Sequence, residues 1–252
     1  MAEPLLKVQH LVKRFGALAA TDDASFEVMP GEVHALIGPN GAGKTTLIHQ
    51  ISGGLRPDSG QVLFVGRDVT HDSMDTHVRA GLVRSYQITS IFKSYSVLDN
   101  LALAVLARRP GTPGWWRAAV NDDAAYAEAE ALMAQIGLSH RADALSGGLA
   151  HGEQRQLEVG LALAARPKLL LLDEPMAGMG PDESERMVDL LMQLRQNLTL
   201  LLVEHDMEAV FRLADRISTL VFGKVIASGT PQEIREHPEV KRAYLGDEEL
   251  AA

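Results

Sequence analysis

Apolar and polar positions along the chain predict strands near both ends of the sequence. Residues 5–11, 24–28 and 61–65 alternate or run apolar between turn residues, as strands do. Residues 33–37 form a short, nearly continuous apolar run, which is typical of a strand covered on both faces. Further short apolar runs that predict strands lie at residues 169–172, 198–203 and 217–222.

A different pattern fills the middle of the chain, where residues 97–165 favour helices. Residues 122–136 are rich in Ala, Glu, Leu and Met, which are strong helix formers, and residues 110–114 contain the prolines and glycines of a turn. Two more helices, predicted at residues 183–196 and 207–213, alternate with the later strands. Such alternation indicates βαβ crossovers and a parallel sheet. We therefore expect an α/β core interrupted by a helical lobe.

Composition and charge exclude several classes of protein. The chain has 252 residues, of which 46% are apolar, so it can bury a full core and is not disordered. No apolar run approaches the ~18–20 residues that span a bilayer, and the first residues lack the features of a secretory signal. The absence of cysteine excludes disulfides and thiolate sites, and the net charge of −9 disfavours a nonspecific nucleic-acid binder. These features favour a cytosolic protein.

A glycine-rich segment carries the clearest chemical pattern in the sequence. Residues 38–46 read Gly-Pro-Asn-Gly-Ala-Gly-Lys-Thr-Thr, between the predicted strand 33–37 and a predicted helix at 45–52. In that position the pattern is typical of a phosphate-binding loop and not of a chance glycine-rich turn. In such a loop the backbone N–H groups would converge on phosphate, Lys44 would reach the β- and γ-phosphates, and Thr45 would ligate Mg²⁺. The predicted nucleotide-binding residues of the loop are Gly38, Pro39, Asn40, Gly41, Ala42, Gly43, Lys44, Thr45 and Thr46.

Two acidic residues, Asp173 and Glu174, follow the apolar run at residues 169–172. On its own, such an ending is typical of a buried strand with a polar end. Beside a phosphate-binding loop the carboxyl ends of neighbouring strands lie together, so Asp173 is predicted to hold Mg²⁺ and Glu174 to polarise the attacking water. His205 follows the next predicted strand and is expected near the same phosphates, although a lone histidine there is more often an ordinary polar residue.

The order of these motifs resembles that of the nucleotide-binding subunits of ABC transporters, over residues 5–245. The resemblance implies that Phe15 stacks on adenine, although Phe15 taken alone would be an ordinary core residue. It also implies that Gln87, otherwise a loop amide, meets Mg²⁺ and joins the core to the helical lobe. The implied catalytic residues are Lys44, Gln87, Glu174 and His205, and the implied metal ligands are Thr45, Gln87 and Asp173.

The resemblance further implies a fold and its division into lobes. The expected fold is α/β: an ABC-type P-loop ATPase core, with a RecA-like, mostly parallel sheet and a small antiparallel β subdomain, and an inserted helical subdomain. Residues 1–252 would form a single ABC ATPase domain. Its core lobe would comprise residues 1–88 and 160–252, and the helical signature subdomain about residues 89–159.

The family's signature sequence has two candidates in this chain. Residues 145–149 read Leu-Ser-Gly-Gly-Leu, and residues 149–153 read Leu-Ala-His-Gly-Glu. Gly152 lies 21 residues before Asp173, which is the family's spacing, whereas Gly148 lies 25 residues before it. We therefore take residues 149–153 as the signature. The residues that it offers to the ATP of a partner subunit are Ala150, His151, Gly152 and Glu153.

Two departures from the family affect groups offered to that opposite ATP site. Ala150 replaces a serine whose hydroxyl would bond the γ-phosphate, and Gly180 stands where the family's D-loop usually has aspartate. Because a homodimer would carry both losses twice, the expected partner is a second, similar ABC ATPase subunit in a heterodimer. A catalytically silent binding subunit is an alternative, opposed by the intact residues of this chain's own ATP pocket.

Residues 149–158, 203–207 and 229–246 are most similar to the ATP-binding subunits of branched-chain amino-acid importers. Urea or amide importers and lipopolysaccharide-export ATPases stay as alternatives, as does a less favoured soluble ABC ATPase acting on nucleic acid or ribosomes. The resemblance implies ATP and Mg²⁺ as cofactors and two transmembrane permease subunits as partners. It also implies a periplasmic binding protein that acts indirectly, no nucleic acid, and a peripheral position on the cytoplasmic face of the membrane.

One surface, at the start of the helical lobe, is expected to dock on the permease. Within residues 89–98, Ile91, Phe92 and Tyr95 are apolar or aromatic side chains in a polar stretch. An exposed groove of this kind suits an amphipathic helix of the permease. The alternative is burial in the core of the lobe, which we expect for Val97 and Leu98.

Overall fold

A computed structural model describes residues 3–85, 91–108 and 122–245 of the chain. One of its sheets is antiparallel and consists of β1 (Leu6–Phe15), β2 (Leu18–Val28), β4 (Ser59–Phe64) and β5 (Arg67–Asp68). The strand order is β2-β1-β4-β5. Strands β1 and β2 extend beyond the predicted segments 5–11 and 24–28. The prediction stopped short because register shifts between β1 and β2 after Val8 interrupt the apolar alternation. The two strands nevertheless stay paired as far as Phe15 and Leu18.

The second sheet is mostly parallel and carries the predicted buried strands. Its members are β3 (Val33–Ile37), β6 (Leu82–Arg84), β7 (Leu169–Asp173), β8 (Thr199–Val203), β9 (Arg216–Val221) and β10 (Lys224–Gly229). In the order β10-β9-β3-β8-β7-β6 only the edge strand β10 runs antiparallel to its neighbour. Every residue of β3, β7 and β8 is buried, as expected of strands covered on both faces. Their carboxyl ends meet at one edge of the sheet.

Helices cover the sheets and form the predicted helical lobe. The α-helices of the described residues are α1 (Lys44–Ile51), α2 (Met74–Ala80), α3 (Val97–Arg108), α4 (Asp123–Gln135), α5 (His151–Ala164), α6 (Pro181–Leu194), α7 (Met207–Leu213), α8 (Pro231–Glu236) and α9 (Pro238–Leu245). Short 3-10 turns lie at Ser139–Arg141 and Ser146–Gly148. In the part of the chain that the structure describes, no helix combines the length and the apolar character needed to cross a membrane.

The helical lobe and the sheet share one apolar core. Leu101 of α3 and Leu157 of α5 belong to the same buried cluster as Leu170 of β7 and Leu200 of β8. Helix α5 runs without a break through residues 159 and 160, so the proposed border between the lobes falls inside one helix. The last residue of α5, Ala164, still packs among helices, in one buried cluster with Val105 and Leu106 of α3 and Ala125 of α4.

Candidate active site

The loop at residues 38–43 connects β3 to α1, and its backbone needs glycine. Gly41 and Gly43 have φ angles of 79° and 102°, in the left-handed region that glycine favours. A Cβ atom on Gly43 would lie 2.0 Å from the Ala20 carbonyl oxygen of β2. On the other side, the N–H of Gly223 donates to the Ala42 carbonyl oxygen at 2.8 Å. The loop is therefore held at the carboxyl end of β3 by contacts with both sheets.

Lys44 begins α1, and its side chain turns back over the loop. Its Nζ donates to the carbonyl oxygens of Gly38 at 2.6 Å and Pro39 at 3.1 Å. Burial lowers the pKa of Lys44 and outweighs the charges of Glu174 and Asp173, which raise it. The ammonium group therefore lies within electrostatic reach of both acids, at the helix start where a phosphate would bind.

Three more predicted residues lie at the carboxyl ends of β7 and β8. Asp173 is the buried last residue of β7. Glu174 has a φ of 50°, and its N–H donates to the Val203 carbonyl oxygen at 2.9 Å. The Nδ1 atom of His205 lies 4.0 Å from Glu174 Oε1. The fold thus brings Lys44, Asp173, Glu174 and His205 together from three separate segments.

Glu204 is a buried acid that the sequence analysis did not single out. Its Oε1 accepts a hydrogen bond from the Met176 N–H at 2.9 Å, and its Oε2 accepts one from the His205 N–H at 3.1 Å. Burial raises the pKa of Glu204, and these backbone hydrogen bonds oppose that rise. The carboxylate ties the loop after Glu174 to the loop that carries His205. Glu204 directly follows the apolar strand β8, and a charged residue in that position could have pointed to it from the sequence.

Phe15 occupies an exposed position at the end of β1. It is 52% exposed, so the alternative that it is an ordinary core residue is wrong. Lys13 Nζ lies 5.9 Å from the centroid of its ring. An exposed aromatic ring can stack on a flat ligand. Gln87, the predicted link to the helical lobe, lies outside the described residues.

The oxygens beside the loop fit a magnesium ion. Asp173 Oδ2 accepts a hydrogen bond from Arg84 at 2.7 Å, whereas no described residue donates to Asp173 Oδ1. Thr45 is exposed at the start of α1. Within the described ranges no group of three or more His, Cys, Asp or Glu side chains could hold a metal by itself. Because Mg²⁺ typically takes one or two protein oxygens together with phosphate and water, Asp173 and Thr45 suit it.

The predicted signature residues open α5. Ala150 precedes the helix, and its N–H donates to Glu153 Oε2 at 3.0 Å. The N–H of Gly152 donates to Glu183 Oε1 at 3.1 Å, and the N–H of Gly180 donates to Glu183 Oε2 at 3.3 Å. Glu183 of α6 therefore joins the signature segment, which contains Ala150, to the segment that contains Gly180. Glu183 was not among the predicted site residues.

The competing signature candidate at residues 145–149 lies in a 3-10 turn before α5. Its Ser146 is buried, and the Ser146 hydroxyl accepts a hydrogen bond from Asn100 Nδ2 at 2.9 Å. A hydroxyl enclosed in this way is not available to a partner subunit. This geometry supports the choice of residues 149–153, which include His151 at the first helical position.

The predicted docking residues divide between surface and core. Phe92 is 58% exposed, and its ring centroid lies 5.7 Å from that of the half-buried Tyr95. The docking prediction was wrong for Ile91, which is only 8% exposed because it packs into the core that the lobe shares with the sheet. Val97 is buried and Leu98 packs against the same core, as expected. Residues 89 and 90 lie outside the described ranges.

Comparison with known sequences identifies the family. A profile described as ABC transporter matches residues 21–177, which is more than half of the chain. The chain belongs to the ABC transporter family. A second profile, described as branched-chain amino acid ATP-binding cassette transporter, matches residues 224–249 at the end of the chain.

Individual relatives agree with the family assignment. The chain is 37% identical to the high-affinity branched-chain amino acid transport ATP-binding protein LivG of Escherichia coli (strain K12), over 98% of this chain and 100% of LivG. It is 33% identical to the lipopolysaccharide export system ATP-binding protein LptB of Haemophilus influenzae, over 97% of this chain and 98% of LptB. A crystal structure of a nucleotide-free ATP-binding cassette from an ABC transporter matches with a TM-score of 0.85 and 30% identity, over 97% of this chain and 100% of that one.

These findings confirm the predicted fold class and activity. The chain is an ABC-type ATPase that binds and hydrolyses ATP. ATPase subunits of ABC transporters work with membrane permease subunits. The motifs at residues 38–46 and 173–174 thus belong to a chain with the expected α/β architecture.

Proposed function

We propose that this ABC ATPase energises a membrane importer for branched-chain or related amino acids. Similarity to LivG over its whole length, together with the profile match at residues 224–249, supports the proposal most strongly. Lipopolysaccharide export is the second candidate function, because LptB is similar over nearly the same length. Import of urea or amides is a further candidate that shares the same ATPase machinery.

The geometry of the strand ends suggests how the chain handles ATP. The loop N–H groups and Lys44 bind the phosphates, and Lys44 stabilises the negative charge that develops during transfer. Phe15 stacks on the adenine ring. Glu174 accepts a proton from the attacking water, while His205, 4.0 Å from Glu174, donates a hydrogen bond to the γ-phosphate.

A magnesium ion would be held by few protein groups. Thr45, Asp173 and Gln87 are the proposed ligands, and the open Oδ1 atom of Asp173 supports this assignment. When bound, Mg²⁺ supplies positive charge that offsets the charge of the phosphates. Lys44, whose Nζ lies over the loop, would add a second positive charge.

The ATPase is proposed to act in a heterodimer with a second ABC ATPase subunit. Ala150, His151, Gly152 and Glu153 would face the ATP of that partner. Binding of ATP would close the dimer, and hydrolysis would open it and move two transmembrane permease subunits between inward and outward states. A periplasmic binding protein would deliver the solute, and the ATPase would lie on the cytoplasmic face of the membrane.

Docking on the permease is proposed for the exposed aromatic pair at the start of the helical lobe. Phe92 and Tyr95 lie just before α3, within the lobe that carries the signature. An amphipathic helix of the permease could bury both rings. Movement of this lobe would then pass directly to the permease.

Solute uptake by cells tests the proposed function. Deletion of the gene should abolish high-affinity uptake of radiolabelled leucine, isoleucine or valine. Wild-type chain should restore uptake, and Lys44→Ala should not, whereas the exposed Lys241→Ala on α9 serves as a matched control that should restore it. Normal amino-acid uptake combined with loss of lipopolysaccharide from the cell surface would favour the second candidate function instead.

A further inference from the structure

A buried arginine contacts the acid that is proposed to hold magnesium. Arg84 is the last residue of β6, which pairs in parallel with β7. Its Nη2 atom donates to Asp173 Oδ2 at 2.7 Å. The Arg84 and Asp173 side chains are only 7% and 1% exposed. The contact is therefore enclosed, and it joins residues that are 89 positions apart in the sequence.

The same guanidinium group also lies near the helix that follows the phosphate-binding loop. Burial lowers the pKa of His49 in α1, and the charge of Arg84 lowers it further, while Asp173 raises it. Arg84 is thus positioned among β6, β7 and α1. These are the elements that carry Asp173 and, at the start of α1, Lys44 and Thr45.

The arrangement leaves one carboxylate oxygen of Asp173 for a ligand. Oδ2 is held by Arg84, and no described residue donates a hydrogen bond to Oδ1. A buried ion pair adds little net stability compared with apolar residues of the same size. Acidic metal ligands, in contrast, are commonly hydrogen-bonded by a neighbouring residue that sets their orientation.

We propose that Arg84 is a positioning residue for the magnesium site. It fixes the Asp173 carboxylate by one oxygen, so that the other oxygen faces the metal that accompanies ATP. This inference rests on the proposed role of Asp173 as a magnesium ligand. In this proposal Arg84 acts through the Asp173 carboxylate and not by direct contact with the nucleotide or the metal.

Metal binding by the purified full-length chain tests the inference. Mn²⁺ would replace Mg²⁺, and its dissociation constant would be measured by electron paramagnetic resonance in the presence of a non-hydrolysable ATP analogue. Arg84→Met should weaken Mn²⁺ binding by about 10–100-fold, which is typical for loss of a group that orients a metal ligand. Arg84→Lys should recover part of this loss, because it keeps the charge without the planar fork.

The control substitution is Arg79→Met on α2. Arg79 also pairs with an aspartate, Asp75, but both side chains are largely exposed, so Mn²⁺ binding should not change. Nucleotide binding without metal, measured with a fluorescent ATP analogue, should be equal in wild type and all variants, since Lys44 and Phe15 are intact. Circular dichroism would check folding, and Arg84→Lys replaces Arg84→Met as the test if the latter does not fold.

A double substitution separates positioning from a general effect on the fold. In an Asp173→Asn background, Arg84→Lys should cause no further loss of Mn²⁺ affinity, because the ligand that Arg84 orients is already lost. Unchanged or tighter Mn²⁺ binding in the Arg84 single variants would overturn the inference. Undiminished Mn²⁺ binding by Asp173→Asn alone would instead contradict the proposed metal site, and failure of the wild type to bind nucleotide would contradict the proposed function.

Discussion

At the residue scale, a few buried side chains hold together the loops that carry the proposed catalytic residues. Glu204 holds the N–H groups of Met176 and His205 with its two carboxylate oxygens. Its charge is buried at the end of β8, and the cost of that burial is offset only in part by the two hydrogen bonds. The position of His205 relative to Glu174 therefore depends on a buried acid to which the proposed mechanism assigns no chemical step.

The buried charge of Glu204 makes protein stability depend on pH. Burial raises its pKa above the ordinary value of 4.5, so the folded protein binds this proton more tightly than the unfolded chain. The tighter binding of this proton stabilises the folded protein. That stabilisation is complete below pH 4.5 and is lost as the pH rises through the raised pKa of Glu204. Glu204→Gln lacks this titration, so the stability advantage of the wild type over the variant should shrink as pH rises through that window.

Urea unfolding of both proteins at several pH values measures the effect. The exposed Glu185→Gln, which disrupts only a surface pair with Arg212, provides the control. A stability difference between wild type and Glu204→Gln that stays constant, or grows with pH, would show that Glu204 is not a buried acid with a raised pKa.

At the scale of elements, close helix packing in the helical lobe depends on Gly160 of α5. A Cβ atom there would lie 2.7 Å from Ile136 Cδ1 and 3.0 Å from Leu101 Cδ2. Alanine usually gains ~0.5–1 kcal/mol over glycine inside a helix, but overpacking costs about 1–3 kcal/mol. Gly160→Ala should therefore lower the free energy of unfolding by about 1 kcal/mol.

A double-mutant cycle checks the physical reason for that loss. Ile136→Val removes the Cδ1 atom that the new methyl group would meet, so Gly160→Ala should cost less in the Ile136→Val background. Thermal or urea unfolding of the four proteins gives the coupling. Equal costs in the two backgrounds would mean that Ile136 does not limit the approach of the helices.

The buried strands were predictable because their patterns are short and continuous. Strand β3 was predicted with its observed bounds, and β7 and β8 to within one residue at either end. Helix α2 and strand β6 were not predicted, since α2 buries only His77 and β6 has three residues. Helix α8 was also not predicted, although Thr230 and Glu233 form a capping box that could have revealed it.

Site residues in clear local motifs were likewise predicted, and those without such a motif were not. Lys44, Asp173 and Glu174 were found because each lies in a compact motif next to a predicted strand or helix. Arg84, Glu183 and Glu204 were not found, because each has a partner that lies far along the chain, at 89, 31 and 28 residues respectively. A local pattern does not record a contact of that kind.

At the scale of the whole molecule, the proposed function requires that movement of the ATPase be passed to the permease. Phe92→Ala and Tyr95→Ala should each lower solute uptake by about tenfold, as expected when a central aromatic contact is lost from an interface. Nucleotide binding should not change, because neither ring belongs to the ATP pocket. The matched control is Met192→Ala, which removes an exposed apolar side chain from α6. Crosslinks from position 92 that never reach the permease would contradict this docking surface.

Asymmetry between the two ATP sites follows from Ala150 and Gly180. In the proposed heterodimer both residues would face the opposite ATP site, so the site that combines Lys44 of this chain with the partner's signature should be the stronger one. Lys44→Ala should therefore lower transport more than the same change of the matching lysine in the partner. Equal losses would contradict the asymmetry, and a fully active complex with this chain as its only ATPase would contradict the heterodimer.

The most direct test of the proposed function is ATP hydrolysis by the complete transporter in liposomes, compared between wild type and Glu174→Gln. The wild-type complex should hydrolyse ATP while it imports a branched-chain amino acid. The variant should bind ATP, stay closed, and hydrolyse at least about a hundredfold more slowly, because it lacks the proposed general base. Hydrolysis and import at the wild-type rate in the variant would show that Glu174 is not the general base and would contradict ATP hydrolysis at this chain's site as the source of energy for import.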